Sequence, residues 1–229
     1  MSDFSVSFSS GQLIGVIGPN GAGKSTMIKA ILGINKPRSG QILIDGSKVT
    51  PKILNTNFSY VPQKIEIDFD FPINVFDTVM LGQLTRVSRW HSIDKTDKKK
   101  VTDALAKLDL NDISEKQISD LSGGQRQRVL VARSLVQQSE VYLLDEPFVG
   151  IDATSENTIM NVLRELRNQG KTVIIVHHDL DKLVEYFDEV VLLNHEVLVQ
   201  GTPSQVLADS SLMRAYGDSL SVFNRRPEL

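Results

Sequence analysis

Four groups of residues in this chain have the types and spacing for chemistry. The first is Gly18-Pro19-Asn20-Gly21-Ala22-Gly23-Lys24-Ser25-Thr26, which fits G-x-x-x-x-G-K-[ST] at every fixed position. Glycines let such a loop curl until several backbone N–H groups face one concavity, and a helix beginning there adds its positive end. The anion this suits is a phosphate. Lys24 can reach β- and γ-phosphates, and the Ser25 hydroxyl can take a place on Mg²⁺. The second group, Asp145-Glu146, follows the apolar run Val141-Tyr142-Leu143-Leu144. Asp145 can hold the cation, and Glu146 can polarise an attacking water. The third is Leu121-Ser122-Gly123-Gly124-Gln125, small residues opening a helix. The fourth is His177-His178-Asp179 after Thr172–Val176.

The elements that must position these groups are legible in the apolar periodicity. Leu13–Ile17, Val141–Leu144 and Thr172–Val176 are apolar throughout, as strands buried on both faces are. Helices are expected from Met27 to Leu32, over about 154–168, and in short pieces near 203–208 and 211–216. Val190–Leu193 and Val197–Val199 flank Asn194-His195-Glu196 and predict a hairpin. Alternation at Phe4–Phe8 predicts a half-buried strand, and Ser39–Gly46 predicts a short one. Phe58–Val61 predicts another, ended by Pro62 and Gln63. Residues 64–120 differ. They are expected to form a helical subdomain set on an α/β core made of 1–63 and 121–229, the whole being a single domain. Lys98-Lys99-Lys100 is expected to be a solvated helix start.

The bulk numbers narrow the class. The chain has 229 residues, 41% of them hydrophobic and 23% charged, so a packed core is expected. A net charge of −3 offers no basic footprint for nucleic acid, so no such partner is expected. There is no cysteine, hence no disulfide framework. No apolar run approaches the ~18–20 residues of a membrane span, and the first residues lack the pattern of a signal peptide. The reading is of a soluble chain that reaches a membrane only through a partner.

Taken together, Gly18–Thr26, Gln63, Leu121–Gln125, Asp145-Glu146-Pro147, Gly150-Ile151-Asp152 and His178 stand in the order and spacing of ATP-binding cassette (ABC) ATPases. The resemblance covers nearly the whole chain. It implies a P-loop NTPase fold with a mostly parallel central sheet, an N-terminal antiparallel β portion and a helical subdomain. It implies ATP and Mg²⁺ as ligands, with Gln63 reaching the cation and sensing the γ-phosphate. It also implies that Ser122, Gly123, Gly124 and Gln125 form the signature loop, that Asp152 belongs to the D-loop, and that His178 contacts the γ-phosphate. Asp152 can also cap the helix that follows it. Two departures stand out. Val149-Gly150 replaces the commoner Ser-Ala, and His177 sits where a hydroxyl residue is usual. The family's adenine-stacking aromatic lies on an earlier strand. Only 17 residues precede Gly18 here, and Phe4–Phe8 match the region after that position, so the antiparallel portion is expected to be incomplete.

One phosphate loop and one signature loop imply a head-to-tail homodimer with ATP at its interface. A single cassette of this size resembles the ATPase subunit of a transporter, lying on the cytoplasmic side of the cell membrane against a polytopic permease. Phe69–Leu81 is where such subunits meet the permease, and the same aromatics can equally be core. Asp70-Phe71-Pro72-Ile73-Asn74-Val75, Glu146–Asp152 and Val176-His177-His178-Asp179-Leu180 are similar to the manganese/zinc/iron importer subfamily, which also implies an extracellular solute-binding protein. The alternatives are a cassette for another small solute, a non-transport ABC ATPase, or a P-loop kinase of small molecules, which would make no use of Ser122–Gln125.

Overall fold

The computed structural model describes residues 5–37, 39–63, 72–85 and 93–217. Its centre is a six-stranded sheet. In chain order the first half runs β1 (Leu13–Ile17), α1 (Lys24–Ile31), β2 (Leu43–Ile44), β3 (Ser47–Lys48), α2 (Pro51–Asn57), β4 (Phe58–Val61), α3 (Val75–Met80) and α4 (Lys95–Lys107). The second half runs α5 (Gly123–Leu135), β5 (Val141–Asp145), α6 (Ala153–Asn168), β6 (Thr172–Val176), α7 (Leu183–Tyr186), β7 (Glu189–Asn194), β8 (Glu196–Gly201), α8 (Pro203–Ala208) and α9 (Ser210–Tyr216). The sheet order is β4-β5-β6-β1-β7-β8. All neighbours are parallel except β7 and β8, the expected hairpin. β2 and β3 form a separate two-stranded antiparallel ribbon.

The strands are apolar on both sides because the sheet is covered on both sides. Leu13, Tyr142, Leu144, Val173, Ile175, Val190 and Leu192 point into one buried cluster, with Val79, Val101, Leu105, Val129 and Leu163 from helices α3 to α6. Ile14, Val16, Leu143, Ile174, Val176 and Val191 point into the other, with Met27 and Ile28 of α1. The described part of the helical segment shares its buried residues with the sheet and has no separate core of its own.

Three expectations need correction. Residues 5–8 are not a strand: their side chains alternate as expected, and Val6 and Phe8 lie against the second cluster, but their backbone pairs with no ladder among the described residues. A side-chain amide does hold this stretch, since Gln200 Nε2 donates to Ser7 O at 2.6 Å. The strand expected over Ser39–Gly46 shrinks to Leu43–Ile44, because its partner is the adjacent two-residue strand across a Gly46 turn (φ 75°). Helix α2 is an unpredicted element. Thr50 caps it by accepting the Ile53 N–H, and Pro51 opens it. Lys98 and Lys99 are exposed on α4, as expected, while Lys100 pairs with Asp97 at 3.6 Å.

Candidate functional site: a phosphate cradle at the carboxyl edge of the sheet

Because β1, β4, β5 and β6 are parallel, the residues following each emerge at one edge. That edge receives the glycine loop after β1, Gln63 after β4, Asp145 and Glu146 at the end of β5, and His177-His178 after β6. In-register pairing of Asp145 with Val176 and of Val61 with Leu144 brings these ends level.

The loop is built for close approach. Gly18 has φ 151°, and a Cβ there would stand 2.0 Å from the Leu193 carbonyl oxygen of β7. The β7–β8 turn grips the loop again where the His195 N–H donates to Ala22 O at 2.9 Å. The N–H groups of Gly21, Gly23, Lys24 and Ser25 donate to no acceptor among the described residues. They are free donors at the N-terminus of α1, the arrangement an anion requires. Lys24 is buried, and its ammonium donates to the carbonyls of Gly18 (2.7 Å) and Pro19 (3.0 Å). Burial lowers its pKa, against the pull of the nearby Glu146 and Asp145 carboxylates.

Opposite the loop, Ser25 Oγ donates to Asp145 Oδ1 at 3.1 Å. A hydroxyl and a carboxylate in contact beside a ring of free N–H groups form an oxygen donor set suited to Mg²⁺ next to a phosphate. Burial raises the Asp145 pKa, and the Ser25 hydrogen bond acts the other way. The same burial, with the Asp145 charge, pushes the Tyr60 phenol up to about 12. Glu146 stands in the left-handed region at φ 51° and accepts a hydrogen bond of 2.5 Å from Gln63 Nε2. Gln63 is exposed, so this carboxylate–amide pair faces the open side of the cradle. Sequence gave no hint that these two side chains pair.

Two further groups lie apart from this cluster. Ser122 caps α5, and its hydroxyl and the Gln125 side chain satisfy each other's N–H groups as a capping box. Asp152 caps α6, accepting from Ser155 N and Ser155 Oγ, both at 2.9 Å. The two caps abut: a Cβ on Gly124 would lie 2.4 Å from Ser155 Oγ and 2.7 Å from Asp152 Oδ2. Gly123 is exposed beside the Gly150 carbonyl. Among the described residues, no hydrogen bond or ion pair joins Ser122–Gln125 or Asp152 to the glycine loop. The adjacent histidines separate, as neighbours after a strand should. His177 is 2% exposed, whereas His178 is open to solvent. Phe69–Phe71 lie outside the described residues, and of the following stretch Val75 is buried and Leu81 is exposed.

A family model described as "ABC transporter" matches residues 1–149. The chain belongs to the ABC transporter family. As an ABC ATPase domain it has the nucleotide-binding P-loop fold and hydrolyses ATP. It is 43% identical over 219 residues to a manganese transport system ATP-binding protein, MntB, of Halalkalibacterium halodurans, covering 96% of this chain and 86% of that one. It is 40% identical to a zinc transport system ATP-binding protein, TroB, of Treponema pallidum, covering 96% and 82%. Among solved structures it resembles a dimeric ATP-binding cassette in a post-hydrolysis state bound to ADP and Pi. That match has a TM-score of 0.75 and 26% identity, and covers 88% of this chain and 89% of the other. Among the described residues of this ABC chain, no helix is long and apolar enough to cross a membrane.

Proposed function

We propose that this ABC ATPase powers import of a divalent transition-metal ion, manganese or zinc, through a polytopic membrane permease. One observation carries the catalytic half of the reading: Lys24, Ser25, Gln63, Asp145 and Glu146 converge at one sheet edge, while Ser122–Gln125 and Asp152 form a second, separate group. The metal is supported by the names of relatives at about 40% identity over nearly the whole chain.

In this reading the N–H groups of residues 21–25 and the Lys24 ammonium bind the β- and γ-phosphates of ATP. Gly18, Pro19, Asn20, Ala22 and Thr26 shape that loop. Ser25 and Asp145 hold Mg²⁺, with Gln63 completing its surroundings from the open side. Bound Mg²⁺ supplies charge neutralisation at the transferring phosphoryl group. Glu146 orients the attacking water and takes its proton, with Gln63 steering the carboxylate. His178, exposed after β6, contacts the γ-phosphate. Ser122, Gly123, Gly124 and Gln125 of a second copy close the site, with Asp152 at the same interface, so the working unit is a head-to-tail homodimer. The segment 64–120 acts as a helical subdomain that meets the permease on the cytoplasmic face of the membrane. An extracellular solute-binding protein supplies the ion.

The test has two arms. A deletion strain should fail to grow under limitation of one ion among Mn²⁺, Zn²⁺ and Fe²⁺, and that ion alone should rescue it; growth independent of all three refutes metal import. Ser122→Arg should abolish ATP turnover, and an unchanged rate refutes the two-chain site.

A further inference from the structure

The structure places a buried ring cluster behind the catalytic edge, and no role assigned so far uses it. Its hub is His177, whose imidazole lies 5.8 Å from the Phe148 ring, 5.9 Å from Tyr186 and 5.5 Å from Phe187, centroid to centroid. Phe148 meets it nearly perpendicular, at 82°. Such edge-to-face pairs are favourable beyond their burial. The rings come from three segments of the chain. Phe148 lies two residues beyond Glu146, with only Pro147 between. His177 directly precedes His178, whose own ring is 5.8 Å away. Tyr186 donates to Glu156 of α6 at 3.0 Å, and the Glu156 N–H donates to the carbonyl of Asp152. Phe187 occupies the space left by Gly15 of β1, where a Cβ would come within 2.9 Å of its ring. The hub also carries a cost. His177 Nε2 is sealed from solvent with no hydrogen-bond partner among the described residues. Leaving a buried nitrogen without a partner is destabilising. The ring is therefore held in place by its shape, against a polar penalty.

We infer that His177 is a positioning residue for ATP hydrolysis, its ring locking the Glu146 segment to the His178 segment through the edge contact with Phe148. The inference rests on Glu146 and His178 being the hydrolytic pair. A rigid strut between them keeps the base and the γ-phosphate contact at a fixed separation, and misplacement by about 1 Å costs on the order of a hundredfold in rate. The glycine loop and Lys24, which hold the β- and γ-phosphates in this reading, share no hydrogen bond or ring contact with these four rings among the described residues, so the strut acts chiefly on the chemical step.

The purified chain with saturating Mg-ATP provides the test, with Glu146→Gln as control. His177→Ala should lower kcat about tenfold with an unchanged KM for ATP and unchanged binding of a fluorescent ATP analogue. Phe148→Leu, which keeps the volume and loses the ring edge, should lower kcat in the same way. It decides the matter if His177→Ala does not fold. His177→Phe keeps a ring and removes the orphan nitrogen, so it should restore most of the lost rate and raise the melting temperature. Wild-type kcat in His177→Ala or in Phe148→Leu overturns the inference. So does a His177→Phe variant as slow as His177→Ala, which would assign the effect to the nitrogen. If instead Glu146→Gln turns over at the wild-type rate, the underlying assignment of the base fails.

Discussion

Substituting Gly18 by Ala tests how rigidly the phosphate loop is held. The new Cβ would stand 2.0 Å from the Leu193 carbonyl oxygen. Leu193 is a buried residue of β7 in register with Val197 of β8, so it cannot retreat without opening the hairpin. Adding a methyl to a closed site costs roughly 1–3 kcal/mol, and a β-carbon at positive φ adds roughly 1–2 kcal/mol. Gly18→Ala should therefore destabilise by about 2–5 kcal/mol. For a domain of this size that is a fall of about 4–20 °C in melting temperature. Gly21→Ala is the matched control. Its φ is also positive, at 82°, yet nothing lies within 4 Å of the added carbon, so only the backbone term applies and the fall should be a few degrees. The assay is thermal unfolding by circular dichroism without nucleotide. A Gly18→Ala protein that melts no lower than Gly21→Ala refutes the claim that β7 clamps the loop.

Glu146→Gln retains an oxygen to accept from Gln63, so it should fold normally, bind ATP and trap a dimer on size exclusion while turnover falls about 10²–10⁴-fold; hydrolysis at the wild-type rate removes Glu146 as the base. Lys24→Ala deletes one ammonium and should weaken ATP binding by roughly 10- to 100-fold, the value of one charge-assisted contact of about 1.5–3 kcal/mol, and calorimetry showing unchanged affinity would undo the loop assignment. Burial holds the His177 pKa down to about 4, against 6.5 for the unfolded chain. The unfolded state thus gains a proton first, and stability should be lost as pH falls from about 6.5 to 4, by up to about 3 kcal/mol. His177→Phe should lack that part of the decline, and identical profiles for the two proteins would contradict it.

What could be read in the sequence was whatever is local. Strands β1, β5 and β6 are announced by uninterrupted apolar runs because both sheet faces are covered. The Asp152 cap follows from residue type and spacing alone, and the Ser122–Gln125 capping box appears only in the structure. Helix α2 has the Thr50-Pro51 start signal but buries no residue fully, so it lacks the apolar stripe that would have revealed it. Phe4–Phe8 carries strand alternation, and its residues 5–8 are not one, since a ladder requires a partner that period-2 patterning cannot supply. The site shows the same divide. Its motif residues are visible in sequence, whereas their support is not. The carbonyl that demands glycine at position 18 comes from Leu193, and the amide that grips Ala22 comes from His195, both some 170 residues downstream. The double histidine is two features, one ring in the core and one at the edge; alternation after a strand separates them, and the fold decides which of the two is buried.

In the proposed reading, the charges at the edge couple nucleotide and cation binding into one event. Lys24 already serves two loop carbonyls, and it sits in the field of both Asp145 and Glu146. A triphosphate entering without a cation would meet the Asp145 carboxylate as a like charge. At a separation of ~8 Å and an effective dielectric of ~20 each such pair costs about 2 kcal/mol, or roughly thirtyfold in affinity. A divalent ion held by Ser25 and Asp145 reverses that sign. ATP should therefore bind at least about tenfold more weakly to the wild-type chain in excess EDTA than with Mg²⁺. Asp145→Asn should reverse the order of the two proteins: weaker than wild type with Mg²⁺, for want of a cation ligand, and tighter than wild type in EDTA, for want of the repulsion. A merely structural Asp145 would move both affinities in the same direction, and that result would remove it from the cation site.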